Sequence, residues 1–584
     1  MAALAITVAG LWWVTSGNFR LFEPLAFGNV YEAQALSLWS GHTDIPCNIA
    51  TGEAFVRNGK CYLYFGPVPA LLRGPLLWLA PSFDGQWSRA MVWISQLLFL
   101  AVVGLILAEA GHRFGTWTST FYLLLTAFGS TIPTMWGWPT TWVEAISWAT
   151  AFAAASLYCL LRWSRLDKGA WLIAACLMAM LSFFTRVSTG AGPLLAVGLV
   201  ALNTWWRRPP SRRAAVVTLV LLGVTVYLFT ALNYARMGTY LNPVPITLHV
   251  AYGADRLARI GWTLFHPEKA LPILLNYLLD APRFRWSYPW LEYGPASLFH
   301  VSGMDFQDVH GGVLPTMPAL VWLAWAGWRS SDGKRVRWLL LAPLVGIALV
   351  VTVAAMAERY VHEFLLLLAA AGAYGLSWAM ASRPRRWITY VLSAWSVYAG
   401  WALGLVGQRE TMYWISDDAL DRHCTLRSSI NARLGQPHPL EGTRRVKIPQ
   451  TGSLYAFDGS TWQRCAGPPT HLIRVRIRFD ALPAGPFHLL SAGKAPDADI
   501  VFLEQVSPGR YHVRMTHPGR NPEIGPDFEL VAGRDYLFEC LLERANQRVS
   551  VSLDGAVVGK RKTELIRWPE SQVTVNPLGY WLSD

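Results

Sequence analysis

At 584 residues, 53% apolar, 13% aromatic and only 15% charged, the chain departs from soluble globular usage and has room for a polytopic membrane unit with a soluble domain attached. Its net charge of +13 does not call for nucleic acid. Much of the excess lies in short clusters between apolar runs, and the repeated basic patches of a nucleic-acid groove are replaced by aromatics.

The chain opens on an apolar run from Ala2 to about Ser16, with no Lys or Arg before Arg20 and no evident small-residue cleavage site. This pattern predicts a first transmembrane helix rather than a secretory signal. Counting that run, at 2–17, the apolar stretches predict eleven spans, the others near 91–110, 116–132, 141–162, 170–186, 190–206, 214–232, 313–328, 337–356, 361–381 and 387–406. Four basic clusters bound them: Arg162/Arg165/Lys168, Arg207/Arg208/Arg212/Arg213, Arg329/Lys334/Arg335/Arg337 and Arg383/Arg385/Arg386. Short loops rich in Arg and Lys stay cytoplasmic, so the N-terminus is expected inside and the C-terminus outside a plasma membrane crossed many times. Residues 18–90 and 234–312 then form large exterior loops. The stretch Tyr62–Ala80 carries Pro67, Pro69, Arg73 and Pro75. Counting it as a further span would invert later segments or put the basic clusters outside, so it is expected to lie at the interface or re-enter.

In the first exterior loop, Cys47 and Cys61 have thirteen residues between them and suit a disulfide in an oxidising compartment. Cys159 and Cys176 fall in apolar spans as packing residues, while Cys424, Cys465 and Cys540 follow the last span, with Cys424–Cys465 the preferred pair. In the second loop the stretch RFRWSYPW presents Trp286 and Trp290, which suit sugar stacking or anchoring at the headgroup level. Asp305, Asp308 and His310 form a weak metal pattern; no metal site is assigned, and a divalent ion stays open.

Several ionisable residues fall where spans meet the exterior. Glu23 and Glu32 follow the first span. Glu144, in WGWPTTWVE, lies about one turn into the fourth span, where a carboxylate is costly unless it faces a polar cavity. Arg359, in AERYVHEF, and Arg186, in FTRVS, stand at outer mouths, against the positive-inside pattern. Guanidinium forks match phosphate oxygens, so both are candidates for a lipid phosphate, with Tyr360 and His362 beside Arg359. The bland readings are a solvated loop carboxylate for Glu23 or Glu32, a helix-start carboxylate for Glu144, a local pair with Glu358 or Glu363 for Arg359 and a structural role for His362.

Taken together, the segment FEPLAFGNVYEAQA (22–35), Ser40-Gly41, the Pro-rich YFGPVPALL (64–72), the second acidic position at Glu144 and Arg359-Tyr360 resemble the GT-C fold of integral-membrane glycosyltransferases. The resemblance covers roughly residues 1–410 and is closest to actinobacterial cell-envelope members, with Arg well in excess of Lys and abundant Trp. It implies a polyprenyl-phosphate sugar donor, a glycan or glycolipid acceptor, the bilayer as surroundings and an acidic residue after the first span as base. The family commonly has Asp there, and the choice between Glu32 and Glu23 is open.

After a linker at 411–447, residues 448–584 alternate with period two, as in RVSVSLDGAVVG, and predict an antiparallel all-β sandwich. The pattern is similar to concanavalin-like jelly-roll modules, which implies a carbohydrate-binding module or, equally, a packing domain. Tyr455, Trp462 and Trp581 are its stacking candidates. The expected architecture is thus a polytopic α-helical membrane domain with a jelly-roll sandwich on the exterior. Transfer of a sugar from a polyprenyl-phosphate donor is the leading expectation, ahead of a transporter or flippase of lipid-linked sugars and a polysaccharide polymerase. No paired repeat of the kind transporters carry is evident.

Overall fold

A computed structural model describes residues 2–15, 19, 21–22, 28–50, 53–113, 115–242, 244–250, 252, 254–284, 289–293, 298–307, 310–410, 430 and 433; beyond these it describes 446–447, 454–457, 462–466, 472–479, 482, 487–492, 499–516, 523–543, 548–562 and 573–575. Two compact units emerge, one comprising residues 1–285 and 289–415, the other 286–288 and 416–584.

The first unit is helical. Among the described residues, six helices are long and apolar enough to cross a membrane: Ser88–Glu109, Thr141–Leu166, Val187–Arg207, Arg212–Met237, Glu358–Met380 and Arg383–Leu405. This is a multi-pass membrane protein. The eleven-span expectation is met in position but not in length. Helices do lie at the other five places, but Ala2–Val14, Trp117–Phe128, Gly169–Thr185 and Pro318–Arg329 are short, and the run expected at 337–356 breaks between Ser331–Leu340 and Pro343–Val350. Pro343 supplies the reason for that break, because proline lacks the N–H a continuing helix needs.

Thr141–Leu166 is buried along almost its whole length against Ser88–Glu109 and Gly169–Thr185. Arg212–Met237 instead exposes Val216, Val217, Val220, Val224, Val226, Tyr227 and Leu228, an apolar surface suited to lipid.

The first large loop folds into a small structure of its own. Helix Val30–Trp39 packs on helix Val68–Leu79, and between them runs a hairpin, Phe55–Arg57 with Lys60–Tyr62. Its turn is Asn58-Gly59, both with positive φ (53° and 74°), the chemistry a two-residue hairpin demands. The expected Cys47–Cys61 disulfide is present and ties the hairpin to the short helix Cys47–Ala50. Closing a loop of 14 residues is worth roughly 3 kcal/mol. Cys61→Ser is therefore expected to lower thermal stability, and reductant to do so in the native chain but not in the variant.

Helix Val68–Leu79 is only 12 residues long, too short to span. It buries Val68, Pro69, Ala70, Arg73 and Gly74 and exposes Trp78 and Leu79, as the interfacial expectation requires. Gly74 allows the close approach, because a Cβ there would meet the Trp39 ring at 2.1 Å.

The second large loop meets the first. Val250 N donates to Ala54 O at 2.9 Å, His249 pairs with Phe55 in a β-bridge, and Arg236 Nη1 donates to Leu63 O (2.9 Å) and Phe65 O (2.8 Å).

The second unit is all-β. Among the described residues, Val446–Lys447, Leu454–Phe457 and Trp462–Ala466 form a three-stranded sheet. Of the two larger sheets, one runs Leu472–Arg478, Asp535–Glu543, Arg548–Leu553, Ala556–Lys562; the other runs Glu523–Ile524, Arg510–Thr516, Asp499–Ser507, Phe487–Ala492, Val573–Val575, with Phe528–Glu529 also on Arg510–Thr516. All these pairings are antiparallel, and side chains of both sheets share one core that includes Val501, Leu503, Val513, Phe538, Val549 and Val551. Cys424 and the side chain of Cys465 lie outside the described residues, as do Trp581 and the side chains of Tyr455 and Trp462.

Candidate functional site

Arg73 is fully buried, with none of its side chain exposed. All five of its N–H groups have acceptors. Nε donates to Glu144 Oε1 (3.1 Å), Nη1 to Glu32 (2.6 Å to Oε2) and to Gly28 O (2.7 Å), and Nη2 to Ser88 Oγ (2.7 Å) and Glu144 Oε2. The Tyr31 ring lies beneath the guanidinium at 5.3 Å.

Four elements converge here for local reasons. Glu32 is in the first turn of Val30–Trp39 and Glu144 in the first turn of Thr141–Leu166, where a carboxylate is favoured by the helix dipole. The latter helix is capped by Thr140, whose side chain accepts from Val143 N. Ser88 begins the helix that follows. The sequence expectation thus named both carboxylates, and the structure brings them onto one cation. What it did not name is Arg73 as their partner. The signal was present, since an arginine inside an apolar, proline-rich helix must find buried acceptors.

Two carboxylates and one guanidinium carry a net charge of −1 when all are ionised. Burial raises the Glu32 carboxyl above its usual range, Arg73 pulls it back, and Asp84 nearby adds to the rise. The cluster is suited to taking up one proton, because protonating Glu32 would leave a neutral Arg73–Glu144 pair.

Glu32 also forms part of the wall of a cavity of about 550 Å³, with Asn29, Ser37, His42, Asp44 and Lys60 among its polar lining. Glu23 lies outside the described residues.

A second group gathers around Arg359, which is 9% exposed. Its guanidinium sits near three rings, Trp138 at 5.9 Å, Trp142 at 5.8 Å and Tyr360 at 5.1 Å. Glu358 accepts from Gly311 N (2.7 Å) on the side of His310, and Glu363 Oε1 accepts from Arg186 Nε (2.9 Å), Ser188 Oγ (3.2 Å) and Thr189 Oγ1 (2.8 Å).

Arg186, the other cation expected to meet a lipid phosphate, is ion-paired with Glu363. It shares the Tyr360 ring, at 5.3 Å. His362 is fully buried inside the bundle, hydrogen-bonded with Thr131 Oγ1 at 2.8 Å and 3.4 Å from Gln96 Nε2.

Glu53 was absent from the sequence candidates. It is half-buried, between the Cys47–Ala50 helix and the hairpin, and its carboxylate is hydrogen-bonded by Trp142 and Tyr64 and lies in the field of Arg359 and Arg256. Burial outweighs these partners and raises its pKa to about 7. No motif surrounds it in the sequence; only the fold places it beside Arg359. Phe65 and Tyr64, with ring centroids 4.4 Å apart, connect this group to Tyr31, 5.8 Å from Phe65, and so to the Arg73 cluster.

The remaining sequence candidates are elsewhere. Asp305 is bound by Arg256 (2.6 and 2.9 Å) and by the Tyr252 hydroxyl, and His310 pairs with Asp280 at 2.7 Å. Asp308 lies outside the described residues, and among the described residues no group of three His, Cys, Asp or Glu side chains is placed to hold a metal ion. Trp290 is partly buried beside the strand Leu291–Glu292, where Leu291 packs with Ala399 and Ala402 of the last helix. Trp286 lies outside the described residues.

No family model matches the chain, and no curated protein does. Among solved structures, the chain is similar to ArnT from Cupriavidus metallidurans bound to undecaprenyl phosphate, at 16% identity over 74% of this chain and 78% of that one, with a TM-score of 0.40. It is also similar to the oligosaccharyltransferase of Archaeoglobus fulgidus in the apo form (13% identity, 70% and 56% coverage, TM-score 0.39) and to AglB of the same organism in complex with an inhibitory peptide and a dolichol-phosphate (12%, 70% and 56%, 0.37). At such TM-scores they add nothing to the roles of individual residues.

Proposed function

We propose that the chain is a membrane glycosyltransferase of GT-C type that moves a sugar from a polyprenyl-phosphate donor to a hydroxyl of a cell-envelope glycan or glycolipid on the exterior face. The observation that carries this is the Glu32–Arg73–Glu144 cluster, whose Glu32 forms part of a cavity wall, with an aromatic-walled arginine, Arg359, in the same unit. Sugar transfer to a hydroxyl needs a carboxylate that takes a proton as the new bond forms, and a cation where phosphate departs.

In this reading Glu32 accepts the acceptor proton. Its burial raises its proton affinity, and Arg73 keeps it oriented by hydrogen bonds while its charge is shared with Glu144. Arg359 binds the lipid phosphate, held in place by the rings of Trp138, Trp142 and Tyr360. The phosphate leaves already ionised, so no strong acid is required. The second unit is a carbohydrate-binding or packing module on the same exterior side, and the jelly-roll reading of its two sheets belongs to this proposal.

Transfer of radiolabelled sugar from a panel of polyprenyl-phosphate donors to cell-envelope glycan tests the reading, comparing the native chain with Glu32→Gln, Glu23→Gln and Arg359→Ala. Arg359→Ala is expected to reduce transfer at least tenfold, mainly by raising KM for the donor. No transfer by the native chain with any donor would overturn the proposal.

A further inference from the structure

We infer that Glu53 is a sugar-positioning residue, its carboxylate accepting hydrogen bonds from hydroxyls of the saccharide whose phosphate Arg359 holds; this rests on the reading above. Three geometric facts carry it. First, Trp142 serves both groups at once: it hydrogen-bonds the Glu53 carboxylate, and its ring lies 5.8 Å from the Arg359 guanidinium. Anion and cation are thereby fixed side by side on one rigid indole, which is itself anchored two residues before Glu144 on a buried helix.

Second, the surroundings have the composition of a pyranose or furanose subsite. Carboxylates take hydrogen bonds from vicinal hydroxyls, and tryptophan and tyrosine faces accept the C–H side of a sugar ring. Trp138, Trp142, Tyr64 and Tyr360 supply the rings here.

Third, a carboxylate beside a phosphate-binding arginine discriminates between the two ends of a lipid phosphosugar. It repels the phosphate by Coulomb's law and attracts the hydroxylated ring, so the donor is seated in one orientation only. The same repulsion disfavours a sugar that itself bears a carboxylate or phosphate, which assigns the transferred sugar to the neutral or cationic class.

The charged and titratable groups facing Glu53 are Arg359, Arg256, Tyr64 and Tyr252. Hydroxyl binding by the ionised carboxylate is therefore expected to strengthen as pH rises through about 7.

The test is direct binding to the full-length protein in nanodiscs, with bare decaprenyl phosphate and decaprenyl-phosphate carrying a neutral pentose or hexose as probes, and with Glu53→Gln and Glu53→Asp. The expected result is that the native chain prefers a sugar-bearing probe at pH 8 by tenfold or more over pH 5.5. Glu53→Gln is expected to lose that preference and its pH dependence while bare decaprenyl phosphate binds at least as tightly as to the native chain, since the repelling charge is gone, and Glu53→Asp to restore part of the preference. Equal loss of both probes in Glu53→Gln without rescue by Asp would show a merely structural role and overturn the inference. Equal binding of bare and sugar-bearing probes by the native chain would overturn it too, while leaving the phosphate reading intact. Failure of the native chain to bind any of the probes would overturn both.

Discussion

Replacing Arg73 with Met is expected to destabilise the protein by about 3–5 kcal/mol, because it strands Glu32 and Glu144 as uncompensated, almost fully buried carboxylates. Methionine fills similar volume, so lost packing contributes little and the effect reports charge. Thermal unfolding in nanodiscs measures it. Adding Glu32→Gln and Glu144→Gln to the Arg73→Met chain removes both stranded charges and should recover most of the loss. A triple variant no more stable than the single one would mean that the cluster stabilises through shape rather than through ion pairing. Lys at position 73 is expected to be a poor substitute, since one ammonium with three donors cannot satisfy acceptors spread over Gly28, Glu32, Ser88 and Glu144.

Glu32→Gln is the second large effect. Transfer is expected to fall by roughly 10²–10⁴-fold, the usual contribution of a positioned general base, with the fold retained because Arg73 keeps Glu144 as its counter-charge. The comparison that isolates the role is Glu144→Gln. There Arg73 belongs to Glu32 alone, which lowers the proton affinity of Glu32, so transfer should weaken less than in Glu32→Gln and the acid limb of its pH profile should move to lower pH. The sign follows from the cluster: Glu144 competes for the cation that holds Glu32 ionised, and without that competition Glu32 stays ionised further into acid. Equal loss and an unmoved profile in the two variants would remove Glu32 from the role of base. Glu23→Gln is the control, expected to transfer at the native rate.

How much of this was legible from residues alone divides along physical lines. Periodicity and length told where helices run, because an apolar stretch long enough to cross a bilayer has few other uses, and the described helices fall at those places. The Cys47–Cys61 bridge was legible from spacing, and that Val68–Leu79 is too short to span, from its prolines and arginine. The β unit was legible from period-two alternation.

The site was legible only in part. Glu32 and Glu144 announced themselves as carboxylates at helix starts near an apolar span, where an ionisable group is expensive and must be answered. Which group answers them is a matter of three dimensions. Arg73 is 41 residues from Glu32 and 71 from Glu144, and no local pattern links them. Arg186 looked from the sequence like an open cation until packing set Glu363, 177 residues away, against it.

Glu53 is the clearest case of what only tertiary structure decided. In the chain it is one loop glutamate among ordinary neighbours. Its position beside Arg359 comes from the hairpin turn at Asn58-Gly59, the Cys47–Cys61 bridge and the joining of the two large loops at Ala54 and Val250. Sequence patterning by itself determined where this protein meets lipid and where it folds as β-sheet, since both follow from solvent preference repeated at a short period. The pairing of charges does not repeat and acts across long separations, so it was decided only when the chain closed on itself.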